Sequence, residues 1–143
     1  MHQPRIAFHD SHYMPSGLSF WLAEFTRAGI PTVNDDCLCA YGKDSLNEGY
    51  LPPIVVVQPS DDPASSCPEA IKGIVQAQTK TKYYIPVLTF DYPTIDRIMG
   101  VIGEHDNVDF LCNESSRPRS SNWKDYAETL NRLLEELKAP ASR

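Results

Sequence analysis

Residues 54–75 read IVVVQPSDDPASSCPEAIKGIV, and this stretch decides the fold. Ile54 to Val57 is an unbroken run of β-branched residues, the pattern of a strand covered on both faces. Gln58 to Ser65 is a turn-rich connection. From Ser66 the pattern changes period: Ala70, Ile71, Ile74 and Val75 fall on one side of a helix. Ser66 and Glu69 match the S-x-x-E capping box, and Pro68 stands in the first turn, where no helix bond is lost. A buried strand, a polar turn and an amphipathic helix make up the repeating unit of a parallel α/β sheet.

Working outward, the same unit recurs. Arg5 to His9 reads as a strand. It is followed by a helix from about Gly17 to Ala28 with Leu18, Trp21, Leu22, Phe25 and Ala28 on its apolar face, Ser16 as cap and Gly29 as stop. Ile30 to Asn34 is a brief strand. Asp35 to Pro53 is a long polar loop with room for no more than a short helix near Ser45. Tyr83 to Phe90 is a strand whose Pro86 argues for an edge or irregular position. Asp91 can cap a helix carrying Ile95, Ile98, Met99 and Ile102. Val108 to Cys112 is the fifth strand. The last helix runs from about Asn122 to Lys138 behind Ser121, with Trp123, Ala127, Leu130, Leu134 and Leu137 as its stripe. The expected fold is therefore α/β and flavodoxin-like, three layers with a five-stranded parallel sheet flanked by helices. The second crossover helix is expected to be short or absent, and residues 1–143 to form a single domain.

Composition narrows the function classes. A formal net charge of -6 and the lack of a basic run argue against nucleic-acid partners. No apolar stretch reaches the roughly 20 residues of a membrane helix, and the start of the chain lacks a signal-peptide pattern; a cytoplasmic location is expected. The cysteines Cys37, Cys39, Cys67 and Cys112 lack the paired spacing of a zinc site. In parallel sheets ligands gather at the carboxyl ends of the strands. Those ends read His9-Asp10-Ser11, Asn34-Asp35-Asp36, Gln58-Pro59-Ser60 and Phe90-Asp91.

The order of these pieces resembles the TIR (Toll/interleukin-1 receptor) domain family. Ile6-Ala7-Phe8-His9-Asp10-Ser11 is similar to its opening strand and polar turn. Phe20-Trp21-Leu22-Ala23-Glu24 with Ala28-Gly29-Ile30 is similar to its first helix and second strand. Asn34-Asp35-Asp36, Gly42 and Asp44-Ser45-Leu46 resemble the acidic strand end and loop that follow. Ile54 to Pro59 with Ser66-Cys67, Ile85-Pro86-Val87-Leu88, and Trp123 with Leu130 resemble the later elements. The resemblance implies a signalling or defence module that cleaves the nicotinamide–ribose bond of NAD, with NAD as substrate rather than cofactor, and that self-associates or binds another TIR-like domain. It implies a catalytic carboxylate at the start of the helix that opens at Ser66, for which Glu69 is the nearest candidate, and His9, Asp10, Ser11, Asp36, Gly42 and Ser66 as substrate-binding residues, with no metal.

The chain departs from the family pattern at Gln58, where a serine is usual, at Ser66, where a tryptophan is usual, and at Ala70, the usual glutamate slot three residues after Cys67. Two other readings stand beside the enzyme. One is a non-catalytic TIR-like interaction module using the loop from Asp36 to Pro53. The other is a degenerate receiver domain, which would need an aspartate where Gln58 stands. For Glu69 the competing role is the capping box alone, worth about 1 kcal/mol.

Overall fold

The computed structural model describes residues 4–10, 17–35, 52–89, 91–112 and 123–138. Its strands are β1 (Ile6–Asp10), β2 (Thr32–Asp35), β3 (Ile54–Gln58), β4 (Lys82–Pro86), β5 (Val108–Cys112) and β6 (Trp123–Asp125). Its helices are α1 (Gly17–Arg27), α2 (Cys67–Ala77), α3 (Tyr92–Ile102) and α4 (Tyr126–Lys138). The strands form one sheet in the order β2-β1-β3-β4-β5-β6, every neighbouring pair parallel. This is the expected α/β flavodoxin-like arrangement, with six strands in place of five. The expectation about a second crossover helix falls between β2 and β3, outside the described residues.

Each face of the sheet has its own core, and strand alternation sorts the side chains between them. Ala7, Val55, Val57, Tyr83, Ile85, Val108 and Phe110 meet Ile71, Ile74 and Val75 of α2 and Ile95, Ile98 and Ile102 of α3. Ile6, Phe8, Val56, Tyr84 and Leu111 meet Leu18, Trp21 and Phe25 of α1 and Tyr126, Leu130 and Leu133 of α4. Val55, Val56 and Val57 have no exposed surface at all, which is why β3 reads as an unbroken apolar run.

The boundaries differ from the expected ones where long-range partners override local pattern. Ile30 is not in β2. Gly29 takes φ 81° and the Ile30 N–H turns back to the Phe25 carbonyl at 3.1 Å, so Ile30 closes α1 and packs with its core. Pro86 is not at an edge, because β4 lies between β3 and β5. Its position is permitted because pairing with β3 ends at Tyr84. Successive N–H groups alternate sides, and those of Tyr83 and Val87 reach the β5 side. The one Pro86 lacks would point towards β3, past the end of that ladder.

The largest correction concerns the last helix. Trp123 to Asp125 is a strand beside β5, and the helix starts at Tyr126. Asp125 Oδ1 accepts the N–H groups of Ala127 at 3.1 Å and Glu128 at 3.3 Å, so it caps α4. The Trp123 indole donates to Met99 Sδ at 2.6 Å and lies 5.9 Å from the Phe110 ring. These contacts hold it at the sheet edge, and the helix stripe becomes Tyr126, Thr129, Leu130 and Leu133, with Leu134 and Leu137 partly covered. Ala127 faces solvent. The proposed cap Ser121 lies outside the described residues.

At the amino edge of the sheet one side chain joins three elements. Asn107 Nδ2 lies 3.2 Å from the Val75 carbonyl, 3.1 Å from that of Gln78 and 3.1 Å from that of Thr81, while the Asn107 carbonyl accepts the Tyr83 N–H at 2.8 Å. The end of α2, the turn into β4 and the approach to β5 are thereby pinned together. Tyr83 is fully buried nearby. Its hydroxyl meets no partner in full hydrogen-bond geometry, and burial holds its pKa well above the ordinary tyrosine range, offset only in part by Thr81.

Two outcomes are expected. Asn107→Ala strips the last turn of α2 of its donor and costs about 2 kcal/mol of unfolding free energy, read by urea denaturation. Tyr83 imposes a pH dependence: its folded pKa is raised, so the stability it brings is complete below the unfolded value near pH 10 and declines as pH rises above it. Between about pH 9 and pH 11 the melting temperature of the native chain falls more steeply than that of Tyr83→Phe, and parallel curves would remove this account.

Candidate functional site

The connectivity fixes where a site can form. From β1 the chain passes through α1 to β2 on one side. From β3 it passes through α2 to β4 on the other. α1 and α2 lie on opposite faces of the sheet, so the crevice between the carboxyl ends of β1 and β3 is the topological switch point. Asp10 and Gln58 are register partners at that point.

His9 lies one residue back in β1, between Asp35 of β2 and Val57 of β3. It is only 3% exposed and, by alternation from Ala7, belongs to the α2 side of the sheet. The imidazole is thus part of the wall behind the crevice. Ser11, Asp36 and Gly42 lie outside the described residues.

The connection from Gln58 to α2 is built from turn chemistry. Ser60 Oγ accepts the Asp62 N–H at 3.2 Å, and Asp62 Oδ1 accepts the Ala64 N–H at 3.0 Å. The Asp62 carbonyl accepts the Ser65 N–H at 2.9 Å. Arg97 of α3 reaches across to donate to the Asp61 carbonyl at 3.0 Å. This set of bonds presents the first turn of α2 at the same edge as the strand ends.

The start of α2 departs from the expected capping box. Ser66 makes no side-chain cap hydrogen bond, and its backbone stands at φ -94° and ψ 13°, away from the extended conformation that a capping serine takes. Ser65 serves instead, its Oγ accepting the Cys67 N–H at 3.0 Å. Ser66 and Glu69 are both exposed. Glu69 stands in the first helical turn, where a carboxylate is favoured by the helix dipole, and it is not held in a reciprocal cap. Ala70, in the slot where the resembled family has its glutamate, is half-buried.

Between the ends of β3 and β4 lies a small cleft lined by Gln58, Asp61, Val87, Leu88, Thr89 and Ile98, with a volume of about 20 Å³. Gln58 is half-buried, yet its Oε1 is buried without a hydrogen-bond partner. A wider open groove of about 500 Å³ lies at the opposite edge, beside Glu104, His105 and Asp106. It is remote from the strand ends, and His105 is engaged there through its ring Nε2, which donates to the Ile102 carbonyl at 2.8 Å at the end of α3.

Among the described residues no group of three or more His, Cys, Asp or Glu side chains is placed to hold a metal, and no helix is long and apolar enough to cross a membrane. The sequence puts Gln58 at a strand end without marking a role for it. The signal available was its polarity after four apolar residues in a central strand.

Compared with protein-family models, with curated proteins and with solved structures, the chain gives no significant match.

The capping arrangement predicts a contrast between adjacent serines. Ser65→Ala lowers unfolding free energy by about 1 kcal/mol, whereas Ser66→Ala leaves it within about 0.5 kcal/mol of the native chain. Denaturant midpoints with unchanged slopes check this, and equal losses at both positions would restore the capping box.

Proposed function

We propose that the chain is a TIR-like enzyme that cleaves the nicotinamide–ribose bond of NAD at the β1/β3 switch point. The observation that carries this reading is Glu69. It is a solvent-facing carboxylate in the first turn of α2, at the carboxyl edge of the sheet, with the capping role that would have explained it taken by Ser65. In the reaction the bond between nicotinamide nitrogen and ribose carbon breaks with its electron pair leaving on nicotinamide. Positive charge develops on the ribose, and Glu69 stabilises it as carboxylates do in glycoside cleavage. Water then adds to the ribose carbon and loses a proton, giving ADP-ribose and nicotinamide. An internal adenine nitrogen in place of water gives the cyclic product.

His9 and Asp10 supply the β1 side of the nucleotide site, with Ser11, Asp36, Gly42 and Ser66 as further contacts. Self-association, as the resemblance implies, would complete the active form in the cytoplasm, in a signalling or defence setting.

A second reading is a non-catalytic interaction module of the same family. Ala70 in the usual glutamate slot favours it, as does Phe20 on α1, which is 59% exposed and set edge-on to Trp21 at 5.5 Å.

One assay separates the two. At high protein concentration, nicotinamide release from NAD followed by chromatography is expected for the native chain. It falls about 100-fold or more in Glu69→Gln with the melting temperature retained. Turnover unchanged by the substitution removes Glu69 from the mechanism. Absence of turnover together with concentration-dependent association establishes the interaction module instead.

A further inference from the structure

The last strand of the sheet is anchored by a contact between a sulfur and an indole. β6 is three residues long, Trp123 is its only apolar side chain, and none of the three is buried. The Trp123 ring stands 5.9 Å from the Phe110 ring of β5, and its Nε1–H donates to Met99 Sδ of α3 at 2.6 Å. A thioether is a weak acceptor, and an indole N–H can only donate. Met99 packs on the rim of the core between the sheet and α2 and α3, and is itself only partly covered. It stands near the end of α3, and helical side chains lean back over the preceding turn. The residue four places on, whose side chain would lean over Met99, is Gly103, and Gly100 beside it is exposed. Neither has a side chain with which to shield the sulfur.

We propose that Met99 is a site of reversible oxidation by hydrogen peroxide, and that its sulfoxide releases Trp123 and with it β6. A sulfur lone pair attacks one peroxide oxygen, and the S–O bond forms as the O–O bond breaks. The sulfur is oxidised by two electrons. The proton of the transferred oxygen passes to the departing hydroxide, giving water. A flexible apolar side chain thereby becomes a polar one. At 2.6 Å no atom fits between the sulfur and the indole nitrogen. The new oxygen is a stronger acceptor than the sulfur was, and the N–H reaches it only if the ring moves away from α3. What β6 then keeps is its short ladder to β5 and the Lys124–Asp109 ion pair at 3.9 Å, a surface contact of little strength. The inference does not depend on the nucleotide reading.

The test treats the full native chain with hydrogen peroxide at a concentration that leaves it folded, and maps added oxygen by peptide mass spectrometry. Met99 is expected to gain one oxygen atom. In the oxidised chain the backbone amides of β6 exchange with deuterated solvent at least about tenfold faster, while those of β3 are unchanged. Methionine sulfoxide reductases of both stereospecificities restore the original rates. Met99→Leu, close to methionine in volume, stays folded, and its β6 amides do not respond to peroxide. A folded native chain in which Met99 stays reduced overturns the proposal, as does a Met99 sulfoxide with unchanged exchange in β6. The same acceleration in peroxide-treated Met99→Leu assigns the effect to another residue and overturns it as well.

Discussion

A sheet whose strands all run the same way must be covered on both faces, because each strand can return to the start of the next only through a crossover. In this chain the constraint sets nearly everything else. It makes the interior strands apolar without alternation, as in Val55 to Val57. It divides the described helices between the faces, α1 and α4 on one and α2 and α3 on the other. It also sends every carboxyl end to a single edge, so that polar residues scattered through the sequence arrive together. The crevice between β1 and β3 is a by-product of chain direction, and chemistry is placed there by the few side chains that the fold does not consume.

Much of this was legible because local pattern and tertiary environment agree. Val108 to Cys112, Ile54 to Val57 and the face of α1 carry the same message at both levels. The failures share a different cause. Trp123 fits a helical stripe by spacing, and nothing nearby in sequence announces Met99 and Phe110 as its partners. Pro86 looks like an edge residue until one knows where the β3 ladder stops. Ser65 and Ser66 are chemically identical, and only backbone geometry decides which one caps. Asn107 gives no sign in a loop of polar residues that its amide will meet three carbonyls. For the candidate site, sequence order located the strand ends and the first turn of α2, whereas the isolation of Gln58 Oε1 depends on its surroundings in space.

Glu69 illustrates how a site can be recognised by what the fold leaves unused. In the Ser60 to Ser65 connection the side chains of Ser60, Asp62 and Ser65 are engaged in turns, and Arg97 ties that connection to α3. Against this background, an uncapped carboxylate stands out. Stability alone would favour replacing Gln58, whose Oε1 is buried and unpaired, with an apolar residue, so its presence marks a place where the chain departs from its stability optimum.

The sixth strand has a bearing on solubility. An open parallel sheet ends in rows of unpaired N–H and C=O groups that can template the strand of another molecule. Here the row beyond β5 is closed by a segment of only three residues, with the charged and exposed Lys124 at its centre. Its outer flank is too short to nucleate a long intermolecular ladder, and adding a strand there would require desolvating an ammonium group. Among the described residues, the start of what looks like a helix thus becomes the stub of strand at which the sheet ends.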